Sequence, residues 1–103
     1  MAYKIVITNV AEKDLNEIID YISKKLFAPK AASEFLDKIE LYYENIALNP
    51  LMFPSCESIN LKHKNYRKAV LENYIMFYKV DDVNKTVYIM RFVYAKSDYF
   101  GII

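Results

Sequence analysis

The stretch YIMFYKV at residues 74–80, the polar segment DDVNK at 81–85 and the run TVYIMRFVY at 86–94 together predict a β-hairpin. β-branched and aromatic residues suit half-buried strands, and Asp and Asn suit the turn that joins them. A third strand-like run, residues 66–71, precedes the hairpin and is joined to it by a short turn at residues 72–73. The second half of the chain should therefore form three antiparallel strands.

Alternation along the last run divides its side chains between two faces of the predicted sheet. One face is predicted to carry Thr86, Tyr88, Met90, Phe92 and Tyr94, and the other Val87, Ile89, Arg91 and Val93. Arg91 thus falls among apolar neighbours. Such an arginine is either paired near a strand end or directed into a binding site, and the pattern allows both.

The first half of the chain predicts one strand followed by two helices. Residues 3–8 have strand composition, and Thr8 or Asn9 can cap the helix that follows because a side-chain oxygen accepts free amides of the first turn. Pro29 breaks the helical pattern and starts the second helix, which the pair Asn49-Pro50 ends. The predicted apolar stripes are Ala11, Leu15, Ile18, Ile19, Ile22 and Leu26 in the first helix, and Ala32, Phe35, Leu36, Ile39, Tyr43 and Ile46 in the second.

The element order β-α-α-β-β-β predicts an α+β fold with a helical hairpin packed on one face of a small antiparallel sheet. A chain of 103 residues suits a single domain over residues 1–103. Additional apolar residues on the helices, Tyr21, Phe27, Leu41 and Tyr42, could leave a groove for a partner helix.

Charge is distributed unevenly, although the net charge is only +1. Residues 1–48 hold six lysines and eight acids, whereas residues 49–103 hold eight basic residues and five acids, with the densest basic run at 62–68. A basic patch of this kind can meet phosphate or an acidic partner, or be a solvated loop. No apolar run is long enough for a membrane helix and the first residues do not suit a secretory signal, so a cytoplasmic protein without membrane contact is expected.

Residues typical of catalytic or metal sites are few. One glycine excludes a Gly-rich phosphate loop, and a lone cysteine with a lone histidine is too small a set for structural zinc, so no cofactor or metal is expected. Cys56 is interpreted as a small buried or loop residue, with Cys56–His63 nucleophilic catalysis as the alternative. Asp81-Asp82 is interpreted as turn chemistry.

Tyrosines are abundant, with ten in the chain, and several lie beside basic residues: Tyr66 before Arg67, Tyr78 before Lys79, and Tyr94 two residues before Lys96. Aromatic rings that stack on bases, interleaved with cations that hold phosphates, are typical of proteins that bind single-stranded nucleic acid. The alternative is that these tyrosines simply suit half-buried strands.

Several segments, in order, resemble toxins of the RelE/ParE superfamily. They are AEKDL at 11–15, DYI at 20–22, AASEFLDKIE at 31–40, NP at 49–50, YRK at 66–68, NYIMFYKVD at 73–81 and RFVYAKSDY at 91–99. The resemblance implies the toxin of a bacterial type II toxin–antitoxin system, neutralised by a small cognate antitoxin, as a dimer or as a toxin–antitoxin heterotetramer.

Two target classes follow from the resemblance: ParE-like members inhibit DNA gyrase, and RelE-like members cleave mRNA on the ribosome. RelE-like nucleases usually carry an arginine after the tyrosine of the central strand, where this chain has Ile75 after Tyr74. The ParE-like interpretation is favoured, the RelE-like nuclease is the alternative, and whether the protein is an enzyme stays open. The candidate catalytic residues are Arg67, Lys68 and Lys96, and the candidate target-binding residues are Arg67, Arg91, Tyr94, Lys96 and Tyr99.

Overall fold

The computed structural model describes residues 2–56, 64–97 and 99. Its elements follow the predicted order and class: strand β1, two helices, then three strands. Their bounds are β1 Lys4–Ile7, α1 Asn9–Asp20 continued by a π-helical turn Tyr21–Lys25, α2 Pro29–Leu48, β2 Arg67–Leu71, β3 Tyr74–Asp81 and β4 Thr86–Tyr94. The predicted helix boundaries at Pro29 and Asn49 are confirmed.

The four strands form one sheet in the order β1-β4-β3-β2. The three C-terminal strands are antiparallel, as predicted, but β1 pairs in parallel with β4, so the sheet is mixed. The reason is the helical hairpin, which returns the chain to the start of β1: the amide of Tyr3 donates to the carbonyl of Ala47 at 2.8 Å. β2 therefore runs in the same direction as β1. The first hairpin reverses the chain in β3 and the second reverses it again, so β4 also runs parallel to β1.

Thr8 is the residue that joins β1 to α1. Its hydroxyl oxygen accepts the amide of Ala11 at 3.2 Å, which confirms it as the helix cap rather than Asn9. The same hydroxyl donates to the carbonyl of Ile89 at 2.8 Å, so the start of the helix is fixed to β4. A side chain that caps a helix and binds a neighbouring strand orients the helix on the sheet.

The main core lies between the helices and the sheet. The helical stripes supply Ala11, Ile18, Ile22, Ala32, Phe35, Ile39 and Ile46, all buried as predicted. Leu26 and Leu36 are exposed, so their placement in the stripes was wrong. For Leu26 the cause is the π-helical turn, because its wider spiral rotates later residues away from the stripe.

A β-bulge changes the alternation of β4. The register shifts so that Phe77 pairs with Arg91 while the next residue, Tyr78, pairs with Ile89, which leaves Met90 as an extra residue. Side chains beyond Met90 therefore exchange faces. Met90 packs against a second cluster on the side opposite the helices, as its predicted alternation with Ile89 requires, but Phe92 joins the core beneath the helices and Val93 joins the second cluster, so the predicted faces were wrong from Arg91 onwards.

The hairpin loop after β3 has the turn chemistry that its sequence predicts. The carboxylate of Asp81 accepts the amides of Val83 and Asn84 at 3.1 Å each. The side-chain amide of Asn84 donates to the same carboxylate and holds the pKa of Asp81 below its ordinary value. In the described part of the chain, no helix is long and apolar enough to cross a membrane.

Two core tyrosines give a matched test of hydroxyl burial. Among the described residues, Tyr43 carries a buried hydroxyl without a hydrogen-bond partner, and burial raises its pKa. The hydroxyl of Tyr78, by contrast, donates to the carbonyl of Pro50 at 2.8 Å. We expect Tyr43→Phe to raise the free energy of unfolding by about 1 kcal/mol, because an unsatisfied polar group is removed, and Tyr78→Phe to lower it by about 1 kcal/mol. Urea unfolding measures both; destabilisation by Tyr43→Phe equal to that by Tyr78→Phe would contradict this assignment.

Candidate target-binding face

The side of the sheet opposite the helices carries a second, smaller cluster, which we call the distal face. Ile75 and Phe77 of β3 and Val93 of β4 form its centre and are buried. They alternate along β3 with Met76 and Tyr78, which belong to the helix-side core. The sheet is thus apolar on both sides, and the distal side needs its own cover.

That cover comes from outside the sheet. The segment before β2 runs along its edge, where the amide of Cys56 donates to the carbonyl of Tyr66 at 3.0 Å. The rings of Tyr66 and Tyr99 lie 6.1 and 5.4 Å from the ring of Phe77, centroid to centroid. Three aromatic rings from three parts of the chain therefore meet at the middle of the distal face.

Cys56 is buried in this cluster, and burial raises the pKa of its thiol despite the opposing charge of Lys68. A protonated thiol is a poor nucleophile at neutral pH. The geometry thus favours the interpretation of Cys56 as a small buried residue. His63, the other half of the alternative, lies outside the described residues.

Strand pairing places cations around the aromatic centre. Lys68 pairs with Phe77 on one side, and Arg91 pairs with Phe77 on the other, so the three side chains form a row across the sheet. Lys79, two residues after Phe77, shares its face of β3. The ammonium of Lys64 lies 5.8 Å from the ring centroid of Tyr66. The distal face therefore combines packed aromatic rings with positive charge.

Arg91 is held by helix α1. Its Nε and Nη2 donate to the two oxygens of Asp14 at 2.7 and 3.1 Å, and the amide of Phe92 donates to the same carboxylate at 3.1 Å. The bond to Asp14 raises the pKa of Arg91. Pairing, one of the two predicted alternatives for Arg91, is therefore observed. A bidentate pair fixes the position of the guanidinium, and the carboxylate partly neutralises its charge, so Arg91 attracts a negatively charged target less strongly.

Arg67 lies on the other side of the sheet from Lys68, its neighbour in sequence. It pairs with Tyr78, a member of the helix-side core, and its Nη1 donates to the carbonyl of Phe53 at 2.7 Å. This contact ties the segment after α2 to the sheet. The structure therefore does not bring Arg67 and Lys68 to one site, although both are candidates for the same chemistry.

The remaining candidates lie near the end of β4. The ring of Tyr94 lies edge-on to Tyr74 at 5.7 Å and faces a cleft on the helix side, whereas Lys96 is exposed in the turn beyond the strand. Of the predicted target-binding residues, only Arg91 and Tyr99 meet on the distal face, where the catalytic candidate Lys68 joins them. The sequence singled out Tyr66 for its place beside Arg67 but not as part of this site. It missed Phe77, which the alternation of β3 from Ile75 could have placed on this face. Within the described ranges, no group of His, Cys, Asp and Glu side chains is arranged to hold a metal ion.

Comparison with known families gives a match over residues 5–99, to the ParE toxin of the type II toxin–antitoxin system parDE. The chain belongs to the ParE family of type II toxin–antitoxin toxins. Its order of elements agrees with the fold that the RelE/ParE resemblance implied. No significant match is found among curated protein sequences.

Two solved structures show how widely this toxin fold is shared. A chain of the chromosomal ParDE system of P. aeruginosa superposes with a TM-score of 0.72 at 19% identity, covering 92% of this chain and 98% of that one. A chain of the RelBE2 toxin–antitoxin complex of Mycobacterium tuberculosis gives 0.66 at 20% identity, covering 91% and 99%. At such identities the likeness concerns the fold alone.

Breaking the Asp14–Arg91 pair should be costly for this toxin. In Asp14→Asn, the partly buried guanidinium of Arg91 loses its counter-charge, and we expect the free energy of unfolding to fall by about 2–3 kcal/mol. The matched control is Asp20→Asn, since Asp20 pairs with Lys24 at 3.7 Å on the exposed side of the helix, where pairing contributes little. Thermal and urea unfolding compare the two variants. Equal effects would show that the Arg91 pair does not fix α1 to the sheet.

Proposed function

We propose that this toxin inhibits growth by binding DNA gyrase, and that the distal face is the surface through which it binds. The observation that carries the proposal is the ParE family match over nearly the whole chain. Of the two target classes that the sequence suggests, gyrase is the one expected for ParE-like toxins.

The distal face has the composition of a protein-binding surface. Its centre is an aromatic cluster in which Phe77 and Tyr66 are buried and support the partly exposed ring of Tyr99, and its margin carries the partly exposed cations Lys68 and Lys79. Binding surfaces between proteins commonly combine aromatic anchors with a polar rim. The rim cations here suit a target surface that is negatively charged.

The same geometry supports inhibition by binding over RNA cleavage. Cleavage of RNA needs a group that deprotonates the 2′-hydroxyl and groups that stabilise the developing charge. Arg91 is held by Asp14, Arg67 lies on the other side of the sheet, and burial raises the pKa of Tyr66, which keeps its phenol protonated. Within the described part of the distal face, these groups do not form a base paired with a charge-stabilising cluster.

A RelE-like nuclease is the second candidate. The partly exposed ring of Tyr99 is suited to stacking on a base, and the cations Lys64 and Lys68 of the same face are suited to holding phosphates. On this alternative, the missing base would be supplied by residues 57–63 or by the ribosome. It requires that the protein acts on mRNA and leaves purified gyrase active.

A small cognate antitoxin is the proposed neutralising partner. Both similar structures come from toxin–antitoxin systems, one of them explicitly a complex, and the exposed apolar side chains Leu26 and Tyr94 offer contacts for such a partner. We propose that the neutralised form is a toxin–antitoxin heterotetramer. We also propose that residues 1–103 of the toxin form a single domain.

Purified gyrase in a DNA supercoiling assay tests the proposal. Wild-type toxin should inhibit supercoiling, and Lys68→Ala should raise the concentration for half-inhibition about tenfold, as expected for the loss of one charged contact. Lys13→Ala is the matched control, since Lys13 is exposed on α1 away from the distal face, and it should behave as wild type. Circular dichroism confirms that both variants fold.

Each part of the proposal has a result that would contradict it. If wild-type toxin leaves supercoiling unchanged but cleaves mRNA in a purified translation system, the gyrase proposal is wrong and the nuclease candidate replaces it. If Lys13→Ala and Lys68→Ala weaken inhibition equally, gyrase is still the target, but the distal face is not the binding surface.

A further inference from the structure

A cleft of about 710 Å³ lies on the helix side, at the end of the sheet away from β1. It is bounded by α1 with its π-helical turn, by the start of α2 and by the turn between β2 and β3. Ile18, Ile22 and Phe92 contribute buried side chains to it. The cleft therefore has an apolar floor at a place where two helices and a hairpin diverge.

Aromatic residues form the rim of the cleft. Tyr21 and Tyr94 are half-exposed, and Tyr74 lies between them and the core. The electron-rich faces of such rings attract cations, and their apolar bodies accept the aliphatic stems of lysine or arginine. The rim thus suits a side chain that is apolar along its stem and positive at its end.

All the charged residues in the described lining of the cleft are acidic. Four of the lining residues are acidic, Asp14, Glu17, Glu34 and Glu72, and no lysine or arginine lines the cleft among the described residues. Asp14 and Glu72 are neutralised by Arg91 and Lys38, at 2.7 and 2.6 Å. Glu17 and Glu34 are exposed, and neither forms an ion pair with a described residue. A ligand in the cleft therefore meets net negative charge from α1 and α2.

The tip of the helical hairpin extends this surface. Leu26, which also lines the cleft, is 54% exposed, and Phe27 is 87% exposed with φ at 51°. A left-handed backbone is unfavourable for a bulky side chain, and π-helical turns are often found at functional sites. The strained tip thus presents two large apolar side chains beside an acidic cleft.

We propose that the cleft and the tip bind a cationic amphipathic peptide segment of a partner protein. Apolar side chains of the segment pack on the floor of the cleft and against Leu26 and Phe27. An arginine or lysine between them lies over Tyr21 or Tyr94 and reaches the carboxylates of Glu17 and Glu34. This binding site includes Leu26 and Tyr94, the contacts proposed above for the antitoxin, so the inference rests on that part of the proposed function and adds the chemistry of the segment that binds there. It is separate from the distal face, because the sheet lies between them, and it does not depend on the identity of the target.

Fluorescence anisotropy with a labelled synthetic probe tests the proposal. The probe is a helical peptide of about 12 residues with leucines on one side and arginines on the other, long enough to span about three helical turns. Its counterpart carries citrulline in place of arginine, which keeps the shape and removes the charge. Wild-type toxin should bind the arginine peptide at least tenfold more tightly than the citrulline peptide.

Variants of the toxin locate the binding. The double variant Glu17→Gln/Glu34→Gln should weaken binding about tenfold and abolish most of its salt dependence, because the ion-pairing carboxylates are gone. Glu40→Gln/Glu44→Gln is the matched control, with the same change of charge on exposed α2 positions outside the cleft. Leu26→Ser should weaken binding, and Leu48→Ser, at the exposed far end of α2, should not.

Three results would overturn the proposal. Wild-type toxin that fails to bind the arginine peptide at about 1 mM, the weak end of specific recognition, has no such site. An equal loss of affinity in the cleft variant and in the control variant would show that the binding is non-specific charge attraction. Concentration-dependent dimerisation that Glu17→Gln/Glu34→Gln abolishes, measured by sedimentation, would make a second copy of the chain the occupant. None of these results depends on gyrase or the ribosome.

Discussion

The bonds that Asp14 makes to Arg91 and to the amide of Phe92 fix the geometry of both surfaces. β1 is short and pairs with β4 only as far as Ile89, so the edge of β4 beyond that residue would otherwise be unpaired. Helix α1 covers this edge, with Thr8 bound to the carbonyl of Ile89 and Asp14 bound to the amide of Phe92, three residues farther along. A carboxylate thus replaces a strand as the partner of the sheet edge.

The bulge at Met90 makes that replacement possible. By shifting the alternation of β4, it turns Phe92 towards the helices and Arg91 towards the distal face. Arg91 can then pair with Phe77 across the sheet while its guanidinium reaches Asp14 around the strand edge. Because of this one extra residue, Arg91 connects Phe77, at the centre of the distal face, with Asp14, which lines the cleft on the helix side.

The two surfaces carry opposite charge on a chain whose net charge is only +1. The distal face combines aromatic rings with Lys68 and Lys79, and the cleft combines aromatic rings with Glu17 and Glu34. A toxin of this family has to meet both a target and a neutralising partner. Surfaces of opposite charge on the two sides of one sheet would let it bind them by different chemistry.

The order of elements, the helix cap at Thr8 and most of the core follow from the sequence, because alternation, helical periodicity and capping are local properties. The parallel pairing of β1 does not, since it depends on where the helical hairpin returns the chain. The faces of Arg91 and Phe92 depend on a bulge that leaves no clear sequence signal. Arg67 and Lys68 were both catalytic candidates because of the resemblance to RelE-like nucleases, yet adjacent residues in a strand point to opposite sides.

The central claim is that this toxin acts on DNA gyrase through binding, and the order in which cellular syntheses stop tests it most directly. Wild-type toxin is induced in bacteria without antitoxin, and the incorporation of labelled thymidine and of labelled amino acids is followed together. The account predicts that thymidine incorporation falls first, with protein synthesis continuing. An immediate fall in amino acid incorporation, with DNA synthesis unaffected at that time, would contradict it and indicate the ribosome.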